Sequence, residues 1–295
     1  MPIRQVIGAY GFPEHTVALA DSLEVAYVDA GKGKNTLIFI HGLSSYVRAW
    51  ERSIPELSKS ARCLAVDLPG YGKSSKGHYP GTMDFYAEVI HQFIQKLHLK
   101  KVTLVGHSMG GQIAVTLALK YPADVQKLVL TSPAGFETFT EPEKQQLRAF
   151  YTVPSIVNTP EAQVRTNHKY NFYRMPAEVD LWIAERLRMM QCEDFQQYAQ
   201  TVVNSMAGML DGPVFDRLAR VQQPTLVVFG GEDFLIPNRA LHPQLTTAQV
   251  AAAGVAQLPH AQQVILAEAG HFAHYEKAAE FNRLVAAFVR EKLKN

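Results

Sequence analysis

The stretch VTLVGHSMGGQIAVTLALKYP, residues 102–122, joins two patterns that need different backbone conformations. Its first half is apolar and β-branched like a buried strand, whereas its second half carries apolar residues at helical spacing. Ser108 lies at the junction, with Gly106 and Gly110 two positions to either side. A strand that turns directly into a helix strains the central residue and leaves no room for side chains two positions away. The sequence therefore predicts a strand, a sharp turn that exposes the Ser108 hydroxyl, and a helix over about Met109–Lys120.

Short apolar runs recur along the chain, and each ends in a polar or glycine-rich loop. They cover residues 37–42, 62–70, 101–108, 125–135, 224–233 and 263–271. Near-continuous apolar strands are typical of a parallel sheet that is covered by helices on both faces. The earlier stretch HTVALADSLEVAYVDAG, residues 15–31, alternates more strongly and predicts an antiparallel ribbon at one edge of the sheet.

This alternation stops between Phe136 and Pro213, where the sequence predicts several helices and no strand. One helix is predicted over residues 176–190, with Pro176 in its first turn. One face of this helix carries Val179, Ile183, Leu187 and Met190. The segment is rich in methionine and aromatic residues, which suits either a cap over an apolar ligand or an ordinary helical subdomain. The predicted division is a core of residues 1–135 and 214–295 and a cap of residues 136–213.

A serine hydroxyl is a weak nucleophile unless a base activates it and a third group orients that base. Asp233 follows a predicted strand in VVFGGEDFLIP, and His271 follows the last predicted strand in ILAEAGHFAHYE. The carboxyl ends of parallel strands meet at one edge of a sheet, where such folds bind their ligands. We therefore expect Ser108 to be a nucleophile, His271 its base and Asp233 the group that orients His271.

Three neighbouring residues compete for these roles. Glu232 adjoins Asp233, but its side chain is expected to point to the other side of the loop. Glu137 follows the strand over residues 125–131 and remains an alternative acid, although Asp233 is favoured. His274 is expected to cap a helix or to pack.

Acyl chemistry at a serine also needs hydrogen-bond donors for the oxyanion. The sequence predicts two backbone N–H groups for this purpose, those of Met109, directly after the serine, and Leu43, in FIHGLSS after a strand. His41 and Gly42 are expected to shape that loop without reacting.

Composition excludes several other classes. The net charge is only +2, with 29 basic and 27 acidic residues interspersed, so no nucleic-acid partner is predicted. No Cys/His spacing fits a metal site, and GYGKSS at residues 70–75 lacks the first glycine of a phosphate-binding loop, so no metal or other cofactor is predicted. No signal-peptide core and no run of membrane-spanning length is present, which predicts a cytoplasmic protein without a membrane span. The oligomeric state is not predicted.

The motifs HGLSSYVRAW, DLPGYGKSS, GHSMGG, GGEDFLIP and GHFAHYE occur in an order that resembles the α/β-hydrolase superfamily, in particular its lipase/esterase-like branch with a helical lid. The resemblance covers nearly the whole chain. It implies a mostly parallel eight-stranded sheet flanked by helices, with the lid inserted after the sixth strand. The segment over residues 242–263 departs from the family pattern, because it is longer and richer in alanine than the segment that usually precedes the last strand.

The resemblance implies a serine hydrolase, with a carboxylesterase of small to medium acyl esters favoured. Its substrate would be a small ester-like molecule with an apolar part. Meta-cleavage carbon–carbon hydrolases also use serine, although they commonly carry asparagine where this chain has His107. Cofactor-free haloperoxidases share the triad, and a ligand receptor that has kept the fold without turnover is an alternative from another class. Dehalogenases and epoxide hydrolases carry aspartate where this chain has Ser108, which argues against both.

Overall fold

The computed structural model describes residues 1–20 and 23–291, and its centre is one sheet of eight strands. The strands are β1 (Glu14–Ala20), β2 (Leu23–Ala30), β3 (Thr36–Ile40), β4 (Arg62–Val66), β5 (Val102–His107), β6 (Val125–Thr131), β7 (Thr225–Gly230) and β8 (Ala261–Leu266). Their order in the sheet is β1-β2-β4-β3-β5-β6-β7-β8. β2 pairs antiparallel with β1 and β4, and all other pairs are parallel. The predicted sheet and its antiparallel edge are confirmed, except that residues 21 and 22 of the ribbon lie outside the described residues.

Burial along the strands follows their place in the sheet. The interior strands β3, β5 and β7 are buried over their whole length, as their apolar sequences predict. β8 differs, because it lies at the edge and exposes Gln262 and Gln263. It also ends at Leu266, so the rest of the predicted run over residues 263–271 forms the loop that carries His271.

Twelve α-helices are present in the described part of the chain. They are α1 (Ile3–Val6), α2 (Ile54–Leu57), α3 (Met83–Lys96), α4 (Met109–Lys120), α5 (Glu141–Phe150), α6 (Val153–Val157), α7 (Glu161–Lys169), α8 (Val179–Met189), α9 (Phe195–Asp211), α10 (Thr247–Gln257), α11 (Ala273–Glu276) and α12 (Ala278–Arg290). α4 has the predicted bounds and is buried on nearly all sides between the sheet and α3. None of the helices in residues 1–20 and 23–291 has the length and apolar composition to cross a membrane.

Helices α5 to α9 lie between β6 and β7, and residues 136–213 contain no strand, as predicted. One detail of the prediction was wrong, since Pro176 lies outside α8 in a turn whose carbonyl accepts from Val179 N at 3.1 Å. Val179 and Ile183 are fully buried, as the helical spacing predicts. Glu185 is also fully buried, because its carboxylate pairs with Arg48 of the core at 2.7 Å.

The two ends of the cap meet at one place on the core. A Cβ on Gly135 would lie 2.6 Å from Val214 Cγ2, and Gly135 has a φ of +86°. Nearby, Gln112 Nε2 donates to the carbonyls of Met209 and Gly212 at 2.9 and 2.8 Å. The chain therefore leaves and re-enters the core at neighbouring points, while the division into core and cap at these residues stays a prediction.

The unusual stretch over residues 242–263 contains α10. Its N-terminus has a capping box, in which the Thr246 side chain accepts from Gln249 N at 3.2 Å. α10 packs on β7 and β8, where Gly254 gives room for the ring of Phe136. The alanine-rich insertion is therefore a packed helix of the core.

Candidate active site

Ser108 occupies the strained turn that its sequence predicts, with φ +52° and ψ −118°. This conformation costs a non-glycine residue about 1–3 kcal/mol and persists only where the surroundings enforce it. Here Ser108 N donates to the carbonyl of Thr131 at 3.0 Å, and the Ser108 carbonyl accepts from Ala134 N at 3.0 Å. A Cβ on Gly106 would lie 2.4 Å from the carbonyl oxygen of Gly110, which is why glycine is required.

The loop after β3 lies directly beside this turn. A Cβ on Gly110 would lie 2.1 Å from the Ile40 carbonyl oxygen, and one on Gly42 would lie 3.1 Å from Ser108 Cβ. The backbone N–H groups of Leu43 and Met109 donate to no acceptor within the described residues. Two N–H groups thus remain for a ligand in the loops that adjoin the Ser108 hydroxyl.

His41 holds the loop that carries Leu43. Its Nε2 accepts from Leu68 N at 3.1 Å, so the ring proton is on Nδ1, which donates to the Gly42 carbonyl at 2.8 Å. Burial lowers the pKa of His41 to about 4, which keeps the ring neutral. The prediction that His41 shapes the loop fits this geometry.

A buried carboxylate supports the same loop from the other side. Asp67 accepts hydrogen bonds from Val47 N, Lys73 N and the Tyr10 hydroxyl at 2.7–2.8 Å. A Cβ on Gly72 would lie 2.1 Å from Asp67 Cγ, so the glycine makes room for the carboxylate. The DLPGYGKSS motif is therefore a carboxylate-centred loop, which could not be recognised from residue spacing alone.

His271 and Asp233 are almost fully buried and in direct contact. His271 Nδ1 lies 2.8 Å from Asp233 Oδ2, while Asp233 Oδ1 accepts from Leu235 N and Ile236 N at 2.9 and 3.0 Å. Because a carboxylate only accepts, Nδ1 carries the proton and Nε2 holds the basic lone pair. Within residues 1–20 and 23–291, His271 Nε2 makes no hydrogen bond, and Ser108 Oγ makes none to His271. Contacts of this kind often tighten only when substrate is bound.

None of the three competing residues makes the contact with His271 that Asp233 makes. Glu232 is exposed, in line with its expected direction. The Glu137 carboxylate accepts a hydrogen bond from Asn238 N at 2.9 Å and lies 2.5 Å from His242 Nδ1. Burial raises the pKa of this carboxyl group. His274 packs between the rings of Trp50 and His107, as one expectation had it. Asp233 is therefore the carboxylate that contacts His271.

The cap contacts the loop that carries His271. Phe272 N donates to the Asn171 carbonyl at 3.1 Å, and the Phe272 ring lies 5.2 Å from that of Phe172. The Trp182 ring of α8 lies 5.7 Å from the same phenylalanine. The sequence predicts that the stretches KYNFYRMP and LWIAERLRMM, which contain Phe172 and Trp182, supply aromatic wall candidates of the cap. It does not predict their contact with Phe272, because the helical pattern identifies a buried face without its partner.

A cationic side chain of the cap has a distinctive setting. Arg186 is half-buried, with its guanidinium 5.0 Å from the ring centre of Phe195 and 4.8 Å from that of Tyr198. The Tyr198 hydroxyl lies 3.4 Å from the carbonyl of Ser44, next to Leu43. No carboxylate pairs with Arg186 among the residues that the structure describes. Its positive charge therefore lies one side chain away from the loop that carries Leu43.

The possible metal ligands among the described residues do not form a cluster. Nowhere in residues 1–20 and 23–291 do three or more His, Cys, Asp or Glu side chains gather so that they could hold a metal ion. His107 Nε2 bonds to a backbone carbonyl, and both ring nitrogens of His274 lack a hydrogen-bond partner there. The expected lack of a cofactor stays a prediction.

Comparison with known proteins identifies the family of the chain. Residues 35–278 match the family model described as the alpha/beta hydrolase fold, and the chain belongs to that family. A 2-hydroxy-6-oxononadienedioate/2-hydroxy-6-oxononatrienedioate hydrolase of Burkholderia vietnamiensis is 28% identical over 91% of each chain.

Two solved structures are similar over most of their length. A probable hydrolytic enzyme from Pseudomonas aeruginosa has a TM-score of 0.86 at 25% identity, covering 98% of each chain. A membrane phospholipase A has a TM-score of 0.75 at 26% identity, covering 98% of this chain and 89% of the other. The predicted fold class, an α/β hydrolase with an eight-stranded sheet and inserted helices, is thereby confirmed.

Proposed function

We propose that this α/β hydrolase is a serine hydrolase, and that it acts as a carboxylesterase on small to medium acyl esters. Ser108 is the nucleophile, His271 the base and Asp233 the residue that orients the base. The observation that carries the proposal is the 2.8 Å contact of His271 Nδ1 with Asp233, which leaves Nε2 free at the edge of the sheet where the half-buried Ser108 lies.

The reaction proceeds through an acyl-enzyme. Ser108 Oγ attacks the ester carbonyl while His271 Nε2 takes its proton, and the Asp233 carboxylate stabilises the imidazolium. The tetrahedral intermediate collapses when the bond to the leaving alcohol breaks and the alcohol takes the proton from Nε2. Water then gives a proton to Nε2 and attacks the acyl carbon, and the ester bond to Ser108 breaks with return of the proton. The products are one alcohol and one carboxylic acid.

The oxyanion is bound by the N–H groups of Leu43 and Met109. Such donors act in a dry site and are worth about 10²–10³-fold each in turnover. Met109 is also the first residue of α4, so the positive end of the helix dipole adds to the stabilisation. Since both donors belong to the backbone, changing either side chain leaves them in place.

The ester class is supported by apolar surface beside the site and by the similarity to a membrane phospholipase A. Phe234 directly follows Asp233, is 55% exposed and stacks on Tyr170 of the cap at 5.5 Å. Exposed aromatic rings next to a reactive site favour a substrate with an apolar acyl or alcohol group.

A second candidate, carbon–carbon hydrolysis of an acidic substrate, is favoured by one observation. Arg186 offers a guanidinium without a carboxylate partner among the described residues, and the relative from Burkholderia vietnamiensis is named for dioate substrates. His107 in place of asparagine argues in the other direction. The ester reaction therefore remains the proposal.

The test compares p-nitrophenyl butyrate with a 2-hydroxy-6-oxodienoate as substrates for the wild type and Ser108→Ala. Ser58→Ala is the matched control, because the Ser58 carbonyl lies against Gly31 beside the amino end of β4, at the opposite end of the sheet from Ser108. We expect ester turnover in the wild type and the control, a fall of at least 10⁴-fold in Ser108→Ala, and labelling of Ser108 by a fluorophosphonate. Turnover of the dienoate alone would replace the ester proposal with the second candidate. Ligand binding without turnover or labelling would contradict both.

A further inference from the structure

His107 links two parts of the candidate site that come from different strands. It precedes Ser108 at the end of β5, and its Nε2 lies 3.0 Å from the carbonyl oxygen of His271, which follows β8. We infer that His107 is a positioning residue, which holds the His271 backbone at the place from which the imidazole reaches Ser108. This inference rests on the proposed function, because it concerns the same reaction.

The direction of this hydrogen bond is fixed. A carbonyl oxygen only accepts, so Nε2 of His107 carries the ring proton and donates it. The other nitrogen, Nδ1, has no hydrogen-bond partner and lies beside Gly42, where an added Cβ would be 3.0 Å away. Burial, together with the nearby rings of His274 and His271, holds the pKa of His107 well below its usual range. The ring is therefore a neutral donor in one tautomer.

The topology explains why such a link is needed. β5 and β8 are separated in the sheet by β6 and β7, so their ends lie about 14 Å apart at a spacing of ~4.8 Å per strand. The loop over residues 267–271 must span back towards Ser108 from the edge strand. A side chain that extends from the turn itself ties that loop to the nucleophile. Displacement of a catalytic group by about 1 Å can cost 10²-fold in rate.

His274 provides a matched control within the same cluster. The ring centre of His107 lies 4.6 Å from that of His274 and 4.7 Å from that of His271. Both His107 and His274 are fully buried. His274 makes no hydrogen bond to Ser108, Asp233 or His271, and all four residues are described. Removal of either ring disturbs the packing, whereas only the change at His107 removes a hydrogen bond to the loop.

The experiment compares His107→Leu, His107→Gln, His107→Asn and His274→Leu by kcat, KM and melting temperature with p-nitrophenyl butyrate. Gln places an amide N–H near the position of Nε2, whereas Asn is one methylene too short to reach the carbonyl. We expect His107→Leu and His107→Asn to lower kcat roughly 10–10²-fold with little change in KM. His107→Gln and His274→Leu should stay within a few-fold of the wild type.

Different failures point to different conclusions. Equal kcat in the Gln and Asn variants, or an equal loss in His274→Leu and His107→Leu, would reduce His107 to a packing residue and overturn the inference. If His107→Leu does not fold, the Gln and Asn pair decides the matter. If Ser108→Ala turns over the ester as fast as the wild type, the proposed function is refuted, and this inference with it.

Discussion

Two histidine–carboxylate pairs lie near the carboxyl end of the sheet and look alike at first. His271 Nδ1 contacts Asp233 at 2.8 Å, and His242 Nδ1 contacts Glu137 at 2.5 Å. Both carboxylates are almost fully buried, and both also accept backbone N–H groups. The contact of each imidazole with its carboxylate therefore does not tell the pairs apart.

The second ring nitrogen separates them. His242 Nε2 lies 3.2 Å from Glu143 on α5, so this ring is held between two carboxylates and fastens the cap to the core. His271 Nε2, by contrast, has no partner among the described residues and can take a proton. A histidine–carboxylate pair is thus common to a structural clamp and to the proposed general base, and the free nitrogen makes the difference.

The largest contrast is expected when each carboxylate is converted to its amide. Asp233→Asn favours the wrong tautomer of His271 and should lower kcat about 10⁴-fold. Glu137→Gln should leave kcat within a few-fold, because its histidine takes no part in the reaction. Ester turnover by the two purified variants checks this, and comparable losses would mean that Glu137 also serves the reaction.

The clamp should show its effect in stability. His242→Leu leaves the buried Glu137 carboxylate without its side-chain donor, and we expect a loss of about 1–3 kcal/mol in the free energy of unfolding. Turnover of the folded variant should be unchanged. Urea titration gives the first quantity and steady-state kinetics the second, and a variant as stable as the wild type would show that the clamp is dispensable.

Histidines without any carboxylate give a third contrast, in their response to pH. Burial lowers the pKa of His41 to about 4 and that of His274 to about 3, below the value near 6.5 of the unfolded chain. As the pH falls below about 6.5, the unfolded state binds protons first, so stability that is present above this pH is lost progressively towards pH 4. Between its pKa in the unfolded chain and its pKa in the folded protein, each such group adds about 1.4 kcal/mol per pH unit to the slope of the free energy of unfolding against pH. His274→Leu should remove one such contribution, and an unchanged slope between pH 6 and 4 would contradict this.

The smallest effect is expected from relief of strain at Ser108. Ser108→Gly removes a side chain from a residue with φ +52°, where glycine is at ease. After allowance for the greater freedom of glycine in the unfolded chain, the variant should be more stable by about 1 kcal/mol. Thermal unfolding of Ser108→Gly beside Ser108→Ala separates relief of strain from loss of the hydroxyl. If Ser108→Ala gains as much stability as Ser108→Gly, the gain comes from loss of the hydroxyl and not from relief of backbone strain.

Much of this arrangement is predictable from the sequence because it is local. The strand, turn and helix around Ser108 are encoded within some twenty residues, and the bounds of α4 follow from them. Asp233 and His271 are found because parallel strands bring their carboxyl ends together. The link from His107 to the loop of His271 spans a distance along the chain that no periodicity reveals.

The cap shows the same limit. Helical spacing correctly predicts that Val179 and Ile183 are buried, but the same pattern misplaced Pro176 within the helix. The burial of Glu185 depends on Arg48, far away in sequence, which compensates its charge. Tertiary partners decide such positions, and a single sequence does not name them.

The contact between Gly135 and Val214 has a consequence for how such a protein diversifies. An insertion whose two ends touch can be lengthened, shortened or exchanged as a cassette, since the remaining chain has almost no gap to close. The crowded backbone around Ser108, where added Cβ atoms would collide, tolerates little change. New substrate ranges are therefore expected to arise by recombination at this junction rather than by point mutation around the serine.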